Sequence, residues 1–317
     1  MGVNITPIMN FAVIIIQVLF VPLVAPLIIG VTRRIKAAMQ NRRGADIFQP
    51  YRDLIKLFRK AEVLSEDATT ISLVSPYVVF ASMITIGALI PIVPFAGNIL
   101  SSYADFIVVI SLMILATFFL ALNGLDAGNA FGGLGSSREM TLAALTEAGL
   151  FFSFMSIALL VQSTNLITLS IHIGTLPSSD WLILSLAFLA FFIALLAENA
   201  RYPFDNPSTH LELTMVHEAM IIEASGPRLA LFEWAAASKL LIFIVLGANI
   251  FIPWGIIISG WQSLSLAILV LLCKVFVLTV AVAMLESMTA KLRFFRLPDL
   301  LSTSFMLGLI ALALAIF

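Results

Sequence analysis

Six ionisable side chains sit where ionisable side chains are costly. Glu147, Glu233, Lys239, Lys274 and Glu286 fall within or at the ends of long apolar segments, and Glu198 closes another. A charge turned toward lipid is expensive, so such groups should face a bundle interior, a water-filled cavity or one another. Both signs are present, which permits acid–base pairs whose proton affinities are tuned by burial and by neighbours. The chemistry open to Glu147, Glu198, Glu233 and Glu286 is a proton or ion path, with the lysines setting proton affinity. The competing reading is a set of interhelical salt bridges that only fix packing, and residues near helix ends can also snorkel to water. Glu233 and Lys239 are six apart on one helix and do not share a face well, so Lys239 and Lys274 should seek carboxylates on other helices.

A second concentration of polar residues follows one apolar segment directly, reading Ala197-Glu198-Asn199-Ala200-Arg201-Tyr202-Pro203-Phe204-Asp205-Asn206-Pro207. Pro203 and Pro207 stiffen the backbone. Asp205 is placed to cap the next helical turn or to pair with Arg201. Glu212, His217, Glu218 and Glu223 come next. His217-Glu218 lacks the second histidine of the helical zinc motif. His210 and His217, seven apart, suit a proton relay or a partner-facing polar surface better than a closed metal site.

The elements that must position these groups are membrane helices. Eight apolar segments, roughly 8–30, 71–95, 106–122, 140–162, 181–197, 232–253, 265–288 and 300–317, approach the ~20 residues that cross a bilayer. Lys239 and Lys274 are the two of the 17 basic residues inside these segments. The others run from Arg33 to Lys60 and continue as Arg138, Arg201, Arg228, Lys291, Arg293 and Arg296, all in the first, third, fifth and seventh loops. The positive-inside rule makes those loops cytoplasmic and puts both termini outside. The first apolar segment, with Pro22 and Pro26 and no basic residue before it, reads as a retained span rather than a cleaved signal.

Within 33–60, Ile47, Tyr51, Leu54, Ile55 and Phe58 recur at helical spacing among basic residues, which predicts an amphipathic helix lying in the interface. The stretch 123–137, with five glycines, reads as a supple cytoplasmic loop. The expected fold is an all-α integral membrane protein: one domain over 1–317, with a surface segment at 33–60 and a structured loop at 198–231.

Composition narrows the function. The chain is 61% hydrophobic and 11% charged, with Cys273 its single cysteine and three histidines. One thiol makes no internal disulfide and holds no iron–sulfur cluster, and the usual haem motif is missing. No glycine-rich nucleotide fingerprint follows a strand. The basic stretch beside a span suits anionic headgroups or a docked subunit rather than nucleic acid. Electron carriers, if the chain serves electron transfer, belong to partner subunits. A free-standing secondary transporter is the rival class, but the paired interrupted helices expected of many such proteins are not evident.

The polar loop, together with Asn41-Arg42-Arg43-Gly44, Gln49-Pro50, Asp53, Lys56-Leu57, Arg138 and Glu147, resembles subunit 1 of respiratory complex I and its relatives in membrane-bound nickel–iron hydrogenases. The resemblance covers nearly the whole chain and continues through Glu212-Leu213, Glu223 and Glu233. It implies eight spans and a tilted surface helix joining a cytoplasmic redox arm to an ion-pumping membrane arm. It further implies roles in the inner chamber and acidic path for Arg42, Asp53, Arg138, Glu147, Glu198, Arg201, Asp205, Glu212, Glu223 and Glu233.

After Pro203-Phe204-Asp205 the chain departs from the quinone-reducing pattern. Its Asn206 to Glu212 stretch, its Leu213 to Met220 continuation, Ser136-Ser137-Arg138-Glu139-Met140 and Arg296-Leu297-Pro298-Asp299 look like the hydrogenase and formate hydrogenlyase branch. That branch implies ferredoxin or formate as electron source and a nickel–iron centre and iron–sulfur clusters held by partners. Those partners would be hydrogenase-like large and small subunits, an iron–sulfur subunit and antiporter-like membrane subunits. Related sulfur-reducing assemblies share much of this membrane part.

Overall fold

The computed structural model describes residues 7–65, 68–92, 102–205, 215–252, 254, 261–290, 292 and 294–316. Asn206, Pro207, His210, Glu212, Lys291 and Arg293 lie outside the described residues. Among the described residues there are eleven α-helices and no strand. These are α1 (Pro7–Met39), α2 (Gln49–Phe58), α3 (Thr70–Leu89), α4 (Phe106–Asp126), α5 (Ala130–Val161), α6 (Leu166–His172), α7 (Trp181–Glu198), α8 (His217–Met220), α9 (Gly226–Leu246), α10 (Trp261–Met288) and α11 (Leu297–Ile316). The spans α1, α3, α4, α5, α7, α9, α10 and α11 are long and apolar enough to cross a membrane. Helices suit that setting because they satisfy their backbone groups internally.

The glycine-rich stretch departs from expectation. Helix α4 runs to Asp126 and α5 begins at Ala130, so most of 123–137 is helix rather than a supple loop. Its glycines serve close approach. A Cβ on Gly132 would collide with the Gly124 carbonyl oxygen, and one on Gly124 would collide with Ser136 Oγ. Lipid tails are as apolar as leucine, so helices associate by packing, and small residues that let backbones touch favour it.

Prolines inside the spans free carbonyls, and other helices claim them. Pro26 has no N–H to offer the Pro22 carbonyl one turn back. The indole Nε1–H of Trp234 on α9 donates to that oxygen at 2.8 Å. Pro76 likewise leaves the Ser72 carbonyl without its helical donor, and Arg228 at the start of α9 donates to it at 3.3 Å. Trp234→Phe is therefore expected to cost about 1–3 kcal/mol, the penalty for one buried acceptor left bare. The lost stability should show as a lower thermal midpoint of the detergent-purified protein. The ring contacts of Trp234 with Phe58 and Phe80 would survive that change.

Helix α9 is the centre of the bundle and its most enclosed span. It packs against α1, α3 and α2. A second group forms where α11 lies against α5 and α7. Ser153 of α5 and Ser304 of α11 donate to the α7 carbonyls of Ala187 and Ala190 at 2.6 and 2.8 Å. At the C-terminal end of α9 the helix widens into a π turn at Gly247–Phe251, where the Asn249 amide donates to the Pro91 carbonyl.

The short helix α2 has the amphipathic pattern expected of it. Leu54 is buried, the Tyr51 hydroxyl donates to the Leu23 carbonyl of α1, and Phe58 meets Trp234 edge-on. Ile55 and Phe58 keep exposed apolar surface beside charged neighbours, as suits a helix at a membrane boundary.

Candidate functional site

The charged end of the bundle gathers side chains from α1, α2, α5, α7, α8, α9 and α10. Its centre is Lys239 of α9, whose Nζ lies 2.5 Å from Glu198 Oε2 at the end of α7. The two side chains are only 15% and 4% exposed, so water screens the pair little. Glu147 and Glu139, on α5, both interact electrostatically with Glu198 and Lys239. One ammonium is thus paired with Glu198 and lies within electrostatic reach of two further carboxylates on α5. Lys239 does find its carboxylate on another helix, as the six-residue offset from Glu233 requires.

A cavity of about 250 Å³ opens beside this cluster between α1, α2 and α9. Glu198 and Lys239 form part of its wall, with Asp205, His217, Glu218 and Glu233. Glu233 reaches the α1–α2 side of the cavity, where Arg33 and Asp53 act on it. Asp53 accepts a hydrogen bond from Gln49 at 2.8 Å. Asp205 is 4% exposed and accepts from the Val216 amide at 3.3 Å, just before α8.

Burial pushes His217 down to about 4, with Lys239 acting in the same direction and Asp205 against it. The ring is therefore neutral at neutral pH. Between its ordinary 6.5 and about 4, the unfolded chain carries a proton on His217 that the folded chain does not. Its contribution to stability is complete above 6.5 and declines as pH falls through that window. His217→Gln is expected to flatten this part of the stability profile, read as thermal midpoints of the purified protein from pH 7 to pH 4.

A second charge cluster closes the same end. Glu286 of α10, with no exposed side-chain surface, lies 2.6 Å from Lys36 of α1 and 3.2 Å from Arg201 after α7. Lys36 also sits over the Tyr202 ring at 5.5 Å. Arg201 thus reaches across to α10, tying the polar loop to the bundle. Arg138 of α5 donates to the Met215 carbonyl at 3.3 Å and lies over the Phe294 ring at 5.3 Å.

Three residues stand apart from these clusters. Glu223 accepts from Asn129 at 2.9 Å and lines a separate small recess with Arg228. Arg42, exposed just after α1, donates to Gln40 and makes no ion pair with the clusters, although it lines an open recess with Lys36, Tyr202 and Glu286. Lys274 projects from the middle of α10, away from the charged end. Glu139 and Lys36 belong to the clusters although sequence reasoning misses them as site residues. Glu139 stands inside a motif notable only for its likeness to relatives, and Lys36 is one cation among nine. Among the described residues, no three His, Cys, Asp or Glu side chains are grouped to hold a metal.

Eight apolar spans capped at one end by buried charge pairs define a multi-pass membrane subunit of the respiratory-complex class. The family model described as NADH dehydrogenase matches residues 11–317, and the chain belongs to that family, that of complex I subunit 1. Formate hydrogenlyase subunit 4 of Escherichia coli (strain K12) is 33% identical over 279 residues, covering 88% of this chain and 90% of the relative. Hydrogenase-4 component C of the same organism is 34% identical over 304 residues, covering 93% and 92%. An NADH-quinone oxidoreductase subunit of Thermomicrobium roseum is 30% identical over 247 residues, or 69% and 70% of the two chains. In fold, the chain is similar to one from the membrane-bound sulfane sulfur reductase, an archaeal respiratory membrane complex. The TM-score is 0.82 at 19% identity, over 96% of this chain and 99% of that one.

Proposed function

We propose that this chain is the anchoring and energy-coupling subunit of a hydrogen-evolving, ferredoxin-oxidising membrane complex. It would link a redox module at the charged end to proton- or sodium-translocating membrane subunits. The observation that carries this reading is the Lys239 site: one buried ammonium among Glu198, Glu147 and Glu139, opening into a cavity at the charged end. A change of charge in a docked redox subunit alters the field there, and a low-dielectric site feels it strongly. The response is a shift in proton equilibria among these groups and those of the adjoining wall, His217 and Glu233. This chain need not conduct an ion completely across the membrane.

The nickel–iron centre and iron–sulfur clusters belong to partner subunits in this reading, and this chain binds no redox centre. The charged end faces the cytoplasm because the basic residues between the spans gather there. Identity to formate hydrogenlyase subunit 4 and hydrogenase-4 component C supports the hydrogenase branch over the quinone-linked one.

The test is purification through this chain in mild detergent, with subunit identification, metal analysis and turnover on reduced ferredoxin. Nickel–iron and iron–sulfur subunits together with hydrogen production are expected. A nickel-free redox assembly would move the chemistry to sulfur or quinone, and a lone functional chain would revive the transporter. The cavity under α2 favours one second reading, a quinone site, because it lies between the surface helix and the inner loops. Its wall is mixed: Pro26, Ile29, Leu54 and Ile221 line it beside Arg33, Lys36, Asp53, Glu198, Arg201 and Glu233, so the charged groups set it apart from a purely apolar quinone pocket without closing it to one. Binding of a short-chain quinone to the purified complex decides between them.

A further inference from the structure

The turn that ends α1 gathers cations at the level where two spans stop. Asn41 takes a left-handed conformation, with φ at 54°, which asparagine tolerates better than most side chains. Its N–H donates to the Ala38 carbonyl at 3.1 Å, and the Arg42 N–H reaches back to the Ala37 carbonyl at 2.8 Å. Those two bonds are the Schellman closure of a helix, and they fold the chain back over its last turn. Arg42 and Arg43 therefore come to line one recess with Arg33 and Lys36 of α1. Tyr202 and the end of α10 form the opposite wall, and the space between is about 720 Å³.

Positive charge is in excess there. Glu286 is the carboxylate of the recess, and Lys36 and Arg201 already hold it at 2.6 and 3.2 Å. Arg33 meets Asp53 only at 4.0 Å. Arg42 donates to the neutral Gln40, and among the described residues neither it nor Arg43 pairs with a carboxylate. With these partners counted, five cations meet two carboxylates, which leaves three positive charges uncompensated. Ser287 and Thr289 donate their hydroxyls to carbonyls of their own helix, so the arginines are the donors left for a ligand. A guanidinium fork matches the paired oxygens of a phosphate.

Depth identifies where that phosphate comes from. Lys36 is in the last turn of α1 and Glu286 in the last turn of α10, and both helices are spans. The recess stands at the headgroup level of a bilayer, where basic pockets between membrane helices hold anionic headgroups. We infer that it binds a phosphate-bearing anion, and that this anion is the headgroup of an anionic phospholipid seated where α1 meets α10. Arg33 and Lys36 also line the cavity beside Lys239, so the lipid would border that site.

The experiment uses the assembled complex in phosphatidylcholine nanodiscs that contain a minor fraction of phosphatidylglycerol with a diazirine near its headgroup. After irradiation, adducts are mapped by mass spectrometry. Labelling is expected at the ends of α1 and α10, and little of it when the diazirine is carried by phosphatidylcholine. Arg42→Gln with Arg43→Gln should lower the labelling by about tenfold or more. Both arginines are exposed and leave the Glu286 clamp in place. Arg59→Gln with Lys60→Gln removes the same charge from the exposed end of α2 and should change the labelling by less than about twofold.

Equal loss with both double variants would reduce the site to general attraction at a basic surface and overturn the inference. Equal labelling by phosphatidylcholine would do the same. Displacement of the label by millimolar inorganic phosphate would make the ligand a free anion rather than a lipid. Labelling that appears only after the docked subunits are stripped away would assign the recess to an acidic segment of a partner. The headgroup, phosphate and stripping comparisons are made on the parent complex, so they decide the matter even if a variant fails to assemble.

Discussion

Lys239→Met is expected to abolish most redox-driven ion transport and also to cost about 3–5 kcal/mol of stability, the penalty for stripping one partner from a buried ion pair. Lys239 Nζ is 2.5 Å from Glu198 Oε2, and Glu139 and Glu147 act on the same ammonium. Removing it leaves three carboxylates in a poorly screened site with their counter-charge gone. A single substitution cannot separate a lost function from a lost fold, because an unpaired buried charge damages both. The double variant Lys239→Met with Glu198→Leu separates them. Replacing both partners of a buried pair by well-packed apolar residues of similar volume is often neutral for stability. Subunit recovery and thermal midpoint should therefore return toward the parent values in the double variant.

Transport should not return. A site that works by shifting proton equilibria needs titratable groups, and the double variant has lost the two that touch. The measurement is ion uptake by inverted vesicles per hydrogen produced, compared across parent, single and double variants. Recovery of coupled transport along with stability would show that the pair only fixes α7 against α9.

The architecture was legible because bilayer physics leaves few options. Long apolar segments must be helices, and the eight expected spans recur, most with ends moved by a few residues, although α1 runs on to Met39 and α5 starts ten residues early. The second departure is instructive. Helix α5 begins at Ala130, about one third of its length before the apolar run starts, because glycine and serine near Gly132 read as loop by composition. In a bilayer the same residues bring backbones together, and the close approach at Gly132 admits nothing larger than hydrogen. Composition cannot distinguish those two uses of glycine.

The site was legible in its costly members and hidden in the rest. Glu198 and Lys239 stood out because a charge beside or within an apolar run demands an explanation, and each explains the other. Lys36 carried no such mark. It is one of nine cations between Arg33 and Lys60, and its burial comes from α10 and the loop after α7, elements more than 150 residues away in sequence. Glu223 joins the path only through the resemblance to relatives, and the turn after α8 sets it against Asn129, apart from the Lys239 cluster. Tertiary placement, rather than local pattern, decides these cases.

Glu286 should behave unlike Lys239, although both are buried charges on adjacent helices. Its carboxylate holds Lys36 at 2.6 Å and Arg201 at 3.2 Å, and so joins α1, α10 and the polar loop in one clamp. Glu286→Ala leaves two cations, 19% and 13% exposed, facing each other without an anion between them. The expected loss is about 3–5 kcal/mol, seen as a markedly lower thermal midpoint and poor subunit recovery. The triple variant Lys36→Met, Arg201→Met and Glu286→Leu replaces the whole triad by apolar groups of similar length, a change that elsewhere is neutral or stabilising. It should regain most of the stability, and the complexes that assemble should transport ions at near the parent ratio per electron pair. Transport that stays lost in a stable triple variant would move Glu286 from the clamp into the coupling path beside Lys239.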